Sequence, residues 1–286
     1  MALKNKILVN FSVVWREKPR VSLYKQSNKE MTPYLKFKEL HQQTQPLIIG
    51  NVWNVQSAKV CEKLNFSAIG TSSAAIAHSL GYEDGEQMPF SDLLFIVERI
   101  RNNISLPLSV DIEFGYGKTA TEIGDNIITL GKLGIVGINI EDSFVKNGER
   151  KLQDSLHFSQ LLKEIKNILA HQGVSIFINV RCDAFLLNSP NTLKITMERI
   201  ENYEQSGVDG IFLPGITKES DIATIVMQTQ LPLNVMCMPE LPNFEILEKI
   251  GVKRISAGNF LNSYTYTSLE NITTKILTEQ SFNPLF

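Results

Sequence analysis

Short apolar runs alternate with longer amphipathic segments from residue 46 onwards. The apolar runs are rich in isoleucine, valine and leucine, as buried strands are, and the segments between them place apolar residues at helical spacing. A strand, a turn with glycine or polar residues, and a helix therefore repeat along the chain. This repetition is typical of a parallel α/β fold, in which helices cover the faces of the sheet.

The pattern predicts eight strands, each followed by a helix. The strands are predicted at residues 47–50, 68–71, 108–111, 135–140, 176–180, 210–213, 233–236 and 254–257. The helices are predicted at residues 56–64, 90–102, 121–133, 158–171, 193–206, 218–228, 243–250 and 268–280.

Eight strand–helix units predict a (β/α)₈ barrel, the TIM barrel, as a single domain over residues 46–286. A doubly wound sheet is the alternative, but the first strand is not followed by a GxGxxG turn. Residues 1–45 are predicted to form a weakly specified N-terminal arm and leading helix.

Composition narrows the function classes. The chain has 286 residues, of which 43% are hydrophobic and 20% charged, as in a globular enzyme-sized domain. A net charge of -2 without a basic block argues against a nucleic-acid partner, and no run approaches the ~20 apolar residues of a membrane span. The 3 cysteines are scattered, which favours a reducing cytoplasm over a disulfide framework or a zinc site.

Acidic residues follow two neighbouring predicted strands. Asp111 and Glu113 come at the end of one strand and point the same way if it continues, while Gly115 allows close approach of a ligand. Glu141 and Asp142 follow the next strand. Hard oxygen ligands of this kind suit Mg²⁺ or Mn²⁺. For either pair alone, an ordinary polar end to a strand is an equally good interpretation.

Other strand ends carry groups that could bind an anion, as a barrel requires of its active site. The segment 71–73, Thr-Ser-Ser, offers hydroxyls and backbone N–H groups, although the same residues also suit the capped start of a helix. Arg181 could bind a substrate carboxylate with its planar fork, or pair with Asp183 or Glu141. Trp53 could line the pocket, or be a buried aromatic at the barrel rim.

These motifs resemble the isocitrate lyase and phosphoenolpyruvate mutase superfamily over residues 46–280. The matching segments are Asn51-Val52-Trp53-Asn54 with Ser57-Ala58, Thr71-Ser72-Ser73, Gly81 with Asp84, Asp111-Ile112-Glu113-Phe114-Gly115-Tyr116-Gly117, Glu141-Asp142, Arg181-Cys182-Asp183 and Arg254-Ile255-Ser256-Ala257-Gly258. The resemblance implies an enzyme that binds Mg²⁺, with Mn²⁺ as a substitute, and a small α-oxo acid. It would make or break a C–C or P–C bond next to a pyruvate enolate.

The resemblance also implies residue roles. Asp111 would bind the metal directly, and Glu113, Glu141 and Asp84 would hold its waters. Arg181 would grip the carboxylate of the oxo acid. The rest of the substrate site would be formed by Trp53, Thr71, Ser72, Ser73, Gly115, Tyr116 and Asn234. The family commonly forms tetramers that exchange the last barrel helix, so we expect a homotetramer or homodimer.

Two departures from the family pattern leave the reaction open. Glu113 stands where the family has the shorter aspartate, and the loop after Glu141-Asp142 lacks the K-[KR]-C-G-H sequence of isocitrate lyases. Lys146 and Asn147 partly match the K-x-N-S gate of the mutases, which makes Lys146 a candidate catalytic residue. The pattern is closest to the oxaloacetate decarboxylase-like and carboxyphosphonoenolpyruvate mutase-like branch.

Three hypotheses follow from these departures. The leading one is a Mg²⁺-dependent lyase that cleaves a C–C bond of a small α-oxo dicarboxylate, with decarboxylation of an oxaloacetate-like substrate as the reaction. The second is a P–C bond enzyme similar to phosphoenolpyruvate mutase or phosphonopyruvate hydrolase. The third is a pseudoenzyme or sensor that binds an oxo acid without turning it over.

Overall fold

The structure, a computed structural model, describes residues 31–188 and 190–286. The chain divides into two units, Met1–Met31 and Thr32–Phe286. Most of the predicted N-terminal arm lies outside the described residues, and its separation from the barrel at residue 45 stays a prediction.

A closed barrel of eight parallel strands, in chain order around the ring, confirms the predicted TIM-barrel fold. The strands in chain order are β1 (Leu47–Val52), β2 (Ala68–Thr71), β3 (Leu108–Asp111), β4 (Gly137–Glu141), β5 (Ser143–Lys146), β6 (Glu149–Leu152), β7 (Phe177–Arg181), β8 (Gly210–Leu213), β9 (Leu233–Met236) and β10 (Arg254–Ser256). Of these, β5 and β6 form a separate antiparallel hairpin, and the others form the barrel.

Helices follow the barrel strands on the outside. In chain order they are α1 (Pro33–Leu40), α2 (Val55–Lys63), α3 (Ser73–Leu80), α4 (Phe90–Arg101), α5 (Ala120–Lys132), α6 (Ser155–His171), α7 (Thr192–Glu204), α8 (Glu219–Gln228), α9 (Phe244–Ile250) and α10 (Phe260–Glu279), with a 3₁₀ turn at Asn283–Leu285. The short helix α3 was not predicted. Helix α10 begins at Phe260, before the predicted residue 268, because its first turns are rich in Asn, Ser, Thr and Tyr, whose weak helix propensity concealed its start.

The hairpin β5–β6 stands where the sequence suggested only a loop. Its strands pair from Ser143 opposite Leu152 to Lys146 opposite Glu149. Asn147 and Gly148, which join them, both have positive φ, 53° and 77°. Such a two-residue turn matches the twist of a hairpin and favours an Asn-Gly sequence. The hairpin is therefore encoded locally, and it projects from the carboxyl end of β4.

Helix α1 closes the amino-terminal end of the barrel. Phe37 is fully buried there among residues at strand starts, including Phe177. A Cβ at Gly137 would lie 2.8 Å from the Phe37 ring, so glycine is needed at that position. His41 stacks on Phe177 with ring centroids 4.2 Å apart. Lys38 donates to the Asp209 carboxylate over 2.8 Å, which fixes the helix to the loop before β8.

The last helix, α10, buries little of its surface against its own barrel. Among its residues only Asn262 is buried, whereas Tyr264, Leu269 and Leu277 are 75%, 55% and 73% exposed. Apolar surface of this kind on one element marks an interaction surface. None of the helices among residues 31–188 and 190–286 is long and apolar enough to cross a membrane.

The burial of His41 predicts an acid-sensitive fold. Burial, aided by Arg254, lowers the pKa of His41 from 6.5 to about 3. Below pH 6.5 the unfolded chain therefore binds a proton that the folded chain does not, and stability is lost as the pH falls. We expect His41 to remove about 2 kcal/mol from the free energy of unfolding between pH 7 and pH 5.

Urea unfolding of His41→Gln at both pH values measures this effect, and the variant should depend less on pH than the wild type. His171→Gln is the matched control, because exposed His171 also contacts the carbonyl oxygen four residues earlier, over 2.7 Å. Equal pH dependence in His41→Gln and the wild type would contradict the prediction.

Candidate active site

A cavity of about 180 Å³ opens at the carboxyl ends of the barrel strands, where TIM-barrel enzymes hold their catalytic residues. It is smaller than sites for drug-sized ligands, which suits a small metabolite. Its lining contains the predicted residues Ser72, Ser73, Asp84, Asp111 and Arg181. The remaining lining residues are Asn51, Ala74, Asn139, Leu186, Phe212, Pro214, Met236, Ser256, Gly258, Asn259 and Phe260.

Asp111 ends β3 and presents its carboxylate to the cavity. Its Oδ2 accepts from the Ser73 hydroxyl over 3.2 Å, and its Oδ1 accepts from the Glu113 amide over 3.2 Å. The Asp111 amide donates to Thr71 Oγ1 over 2.9 Å, which holds the strand end in place. Burial raises the pKa of Asp111, Arg181 opposes that shift, and nearby Asp84 adds to it.

Glu113 is turned away from the cavity into the loop that carries Asp84. Its Oε2 accepts from the amides of Gly85 over 2.8 Å and Glu86 over 2.5 Å, and its Oε1 accepts from the Tyr116 hydroxyl over 2.8 Å. Burial, with a contribution from Asp84, raises the pKa of Glu113 to about 7. Both carboxylate oxygens are thus already engaged by the protein.

Arg181 ends β7 and pairs with two carboxylates. Its Nε and Nη2 donate to Asp183 over 2.5 and 3.1 Å, and its Nη1 lies 2.8 Å from Glu141 Oε2. The guanidinium still lines the cavity, since it is 14% exposed. The structure therefore shows the charge pairing that was the alternative interpretation of Arg181, in a position that also faces a ligand.

The hairpin places Arg150 among the acids. Its Nη1 pairs closely with Glu141 and also donates to Ser143 Oγ over 2.9 Å. Its Nη2 donates to Asp84 Oδ2 over 3.0 Å, and Asp183 Oδ2 lies 3.4 Å from Nη1. Burial raises the pKa of Glu141, and both Arg181 and Arg150 oppose that shift.

Asp142, the second member of the acidic pair, supports the barrel wall instead. Its Oδ2 accepts from Arg199 over 2.8 Å and from the Tyr203 hydroxyl over 2.7 Å, and its Oδ1 accepts from the Asp183 amide over 3.0 Å. All of these groups are buried. Asp142 thus fixes the backbone next to Asp183, and through it the position of Arg181.

Several predicted site residues lie outside the cavity lining as the described residues form it. Trp53 faces a groove between α2 and the start of α10. Thr71 supports β3, and Asn234 is buried inside the barrel, where its Oδ1 accepts from Asn179 over 3.1 Å. Lys146 is exposed near the hairpin turn.

Gly115 and Tyr116 form the loop after β3 rather than a wall of the cavity. Gly115 has φ of 115°, and a Cβ there would lie 2.8 Å from Ile123, so close packing and conformation both require glycine. The Tyr116 hydroxyl is occupied by Glu113 over 2.8 Å. This loop contacts the cavity indirectly, because Tyr116 holds Glu113, whose amide donates to Asp111.

The carboxylates that face the cavity and could meet a metal ion offer hard oxygens. Asp84 and Asp111 line the cavity together. Asp84 is close enough to raise the pKa of Asp111, so the two carboxylates place negative charge in the same part of the cavity. Within the described residues no three Asp, Glu, His or Cys side chains converge to hold a metal by themselves. Mg²⁺ keeps several waters and needs only one or two carboxylates. The donor set therefore fits a hydrated Mg²⁺ or Mn²⁺.

The sequence model of the phosphoenolpyruvate phosphomutase family matches residues 37–277 of the chain. The protein belongs to this family. It is thus a member of the isocitrate lyase and phosphoenolpyruvate mutase superfamily, whose enzymes are lyases or phosphonomutases and depend on a metal.

Individual relatives differ in the activity given to them. A candidate phosphonomutase from Burkholderia cenocepacia J2315 has a crystal structure that superposes with a TM-score of 0.78 at 33% identity, covering 84% of this chain and 97% of that one. An oxaloacetate decarboxylase from Bradyrhizobium is 29% identical over 67% of this chain and 66% of its own length. An uncharacterized Mycobacterium tuberculosis protein is 28% identical over 79% and 82%.

Arg150 is the main site residue that sequence reasoning missed. A signal was present, because Asn147-Gly148 predicts a hairpin turn and pairs Val145 with Arg150. That pairing would have shown that the loop folds back over the end of β4. Asn139 was also missed, since an asparagine inside an apolar strand carries no sign of which end of the barrel it faces.

Removing the Arg150 cation should destabilise the fold, because it leaves Asp84 and Glu141 with less compensation. We expect Arg150→Met to lower the free energy of unfolding at pH 7 by about 2 kcal/mol. The loss should shrink as the pH falls and the carboxylates bind protons. Denaturant unfolding measures both effects.

The matched control is Lys151→Met in the same hairpin. Lys151 pairs only at the surface with Glu149, over 3.0 Å, with both side chains more than half exposed at 55% and 72%. This variant should stay within about 0.5 kcal/mol of the wild type. Equal losses in the two variants would show that Arg150 has no special role among the acids.

Proposed function

We propose that this protein is a Mg²⁺-dependent carbon–carbon lyase that decarboxylates a small oxaloacetate-like α-oxo dicarboxylate. The observation that carries the proposal is the cavity itself, which combines two carboxylates, a guanidinium and a helix start in about 180 Å³. A small dianionic acid with a metal ion complements that combination of charges. The 29% identity to an oxaloacetate decarboxylase supports the choice of reaction.

Each part of the cavity has a role in this reaction. The first turn of α3, residues 72–74, lines the cavity, and free N–H groups at a helix start attract a carboxylate. Arg181, whose Nε and Nη2 already donate to Asp183, supplies positive charge and its remaining N–H donors to the carboxylate next to the oxo group. Asp111 and Asp84 would hold Mg²⁺, which when bound stabilises negative charge on the oxo oxygen. Phe212 and Phe260 limit access of water.

Orientation of Arg181 is part of the same arrangement. Asp183 holds its Nε and Nη2, and Nη1 lies 2.8 Å from buried Glu141, so the guanidinium cannot rotate freely. A fixed guanidinium binds a carboxylate with little loss of side-chain freedom. The pairing of Arg181 with Asp183 and Glu141 is therefore compatible with substrate binding. An Arg181 side chain that filled the cavity would have supported the pseudoenzyme hypothesis more strongly.

Phosphorus–carbon chemistry is the second candidate, because the relative at 33% identity is described as a phosphonomutase. That chemistry would need a cation from the hairpin after β4 to accompany the phosphoryl group. Lys146 is the loop residue that resembles the mutase gate, and it is exposed at the end of the hairpin. The geometry therefore favours decarboxylation.

We also propose a homo-oligomer in the cytoplasm. The exposed apolar residues of α10, together with the apolar groove between α2 and the start of α10, would be covered if subunits exchanged this helix. Cys61, Cys182 and Cys237 are unpaired, which suits a reducing compartment.

Turnover assays with oxaloacetate and phosphonopyruvate test the reaction. The wild type should decarboxylate oxaloacetate in the presence of Mg²⁺ and lose that activity in excess chelator. Asp111→Asn should reduce turnover by about a thousandfold, roughly 4 kcal/mol of transition-state stabilisation.

Lys146→Ala separates the two candidate reactions. If the protein is a decarboxylase, this change should lower oxaloacetate turnover less than about tenfold. Efficient turnover of phosphonopyruvate that Lys146→Ala abolishes would overturn the proposed reaction in favour of phosphorus–carbon chemistry.

Analytical ultracentrifugation tests the oligomer. The wild type should sediment as a dimer or tetramer, and Leu269→Glu should dissociate it, because a charge would enter an apolar interface. Asn271→Glu, on the opposite side of the same helix, is the control and should leave the assembly intact. A monomeric wild type would contradict the proposal.

A further inference from the structure

Two loops at the barrel mouth exchange carboxylate–amide hydrogen bonds. Glu113, after β3, accepts from the amides of Gly85 and Glu86 over 2.8 and 2.5 Å. In return, the Glu86 carboxylate accepts from the Tyr116 amide over 2.6 Å. Each loop thus supplies an acid to the backbone of the other. We call this pair, Glu86 and Glu113, the reciprocal clamp.

The clamp is held against backbone strain. Glu86, Glu113 and Tyr116 all have positive φ, at 57°, 51° and 54°. Non-glycine residues in this region are strained and persist only where the surroundings fix them. Here the fixing contacts are the carboxylate–amide bonds themselves. A strained conformation maintained in this way at the mouth of an active-site cavity indicates that the loop position matters.

The loop held by the clamp carries Asp84 directly before Gly85. On its other side, Gly85 packs against the hairpin, because a Cβ at this glycine would lie 2.6 Å from Val145. Asp84 lines the cavity with Asp111. The backbone amide of Glu113 meanwhile donates to Asp111 over 3.2 Å. One residue, Glu113, therefore contacts the supports of both acids that face the cavity.

We propose that Glu113 is a positioning residue, which together with Glu86 sets Asp84 opposite Asp111 for metal binding and does not itself hold the metal's waters. The proposal rests on the metal site of the proposed function. It also explains the extra methylene of Glu113, since the longer side chain reaches the amides of Gly85 and Glu86. An aspartate here would retain the charge but fall short of those amides.

The test compares charge-preserving variants by calorimetric titration with Mn²⁺. Glu113→Asp and Glu86→Asp each shorten one arm of the clamp by one methylene. Each variant should bind Mn²⁺ about tenfold more weakly or worse than the wild type. The double variant should have nearly the same Mn²⁺ affinity as the single variant that binds less tightly, because the two residues act as a unit.

Glu122→Asp is the matched control. The Glu122 carboxylate also accepts loop amides, those of Lys118 and Thr119 over 2.7 and 3.2 Å, but it caps α5 and is exposed. This variant should lower the melting temperature without changing Mn²⁺ affinity. A loss of stability alone is thereby distinguished from a loss of positioning.

The outcomes separate cleanly. Mn²⁺ affinity that is unchanged or tighter in Glu113→Asp would overturn the clamp, because shortening this side chain would not have displaced Asp84. An unaffected Glu86→Asp would overturn it equally, even if Glu113→Asp did not fold. Failure of the wild type to bind Mn²⁺ would also overturn it. Intact Mn²⁺ binding without turnover of oxaloacetate would reject only the proposed function.

Discussion

The structure depends on compensating the negative charge that a parallel barrel gathers at one end. Asp84, Asp111, Glu113, Glu141 and Asp183 all lie at the mouth, and burial raises the pKa of Asp111, Glu113 and Glu141. Backbone amides donate hydrogen bonds to Glu113. The guanidinium groups of Arg150 and Arg181 form ion pairs with Glu141 and Asp183. Burying acids without such partners would be strongly destabilising. The loops around the mouth supply these partners, which are the amides of Gly85 and Glu86 and the guanidinium of Arg150.

This compensation divides the acids into two groups with different uses. Glu113, Glu141 and Asp142 are engaged by the protein and hold loops, strand ends and the Arg181 guanidinium. Asp84 and Asp111 face the cavity, where they could meet a cation, although Arg150 also donates to Asp84 over 3.0 Å. The division explains how a site with many carboxylates can take a lightly coordinated Mg²⁺, which prefers to keep its waters, while the surrounding acids fix the geometry in which the substrate is held.

The sequence predicted the barrel because strand and helix periodicity is local and repeats eight times. It also predicted that Asp111, Ser72, Ser73 and Arg181 lie together, since strand ends converge in such a barrel, whereas Asp84 came from the family resemblance. Side-chain direction was not predictable: Glu113 and Asp111 share a strand end, yet a positive φ at Glu113 turns its carboxylate into another loop. Arg150 escaped notice because its place depends on a hairpin folding back, which strand-end reasoning does not consider.

The most direct test of this account is the crystal structure of the protein with Mn²⁺, located by its anomalous scattering. We predict that Mn²⁺ binds Asp111 directly with Asp84 beside it, and that Glu113 keeps its hydrogen bonds to the amides of Gly85 and Glu86. A structure in which Glu113 has left those amides to bind Mn²⁺ or its waters would contradict the division of the acids.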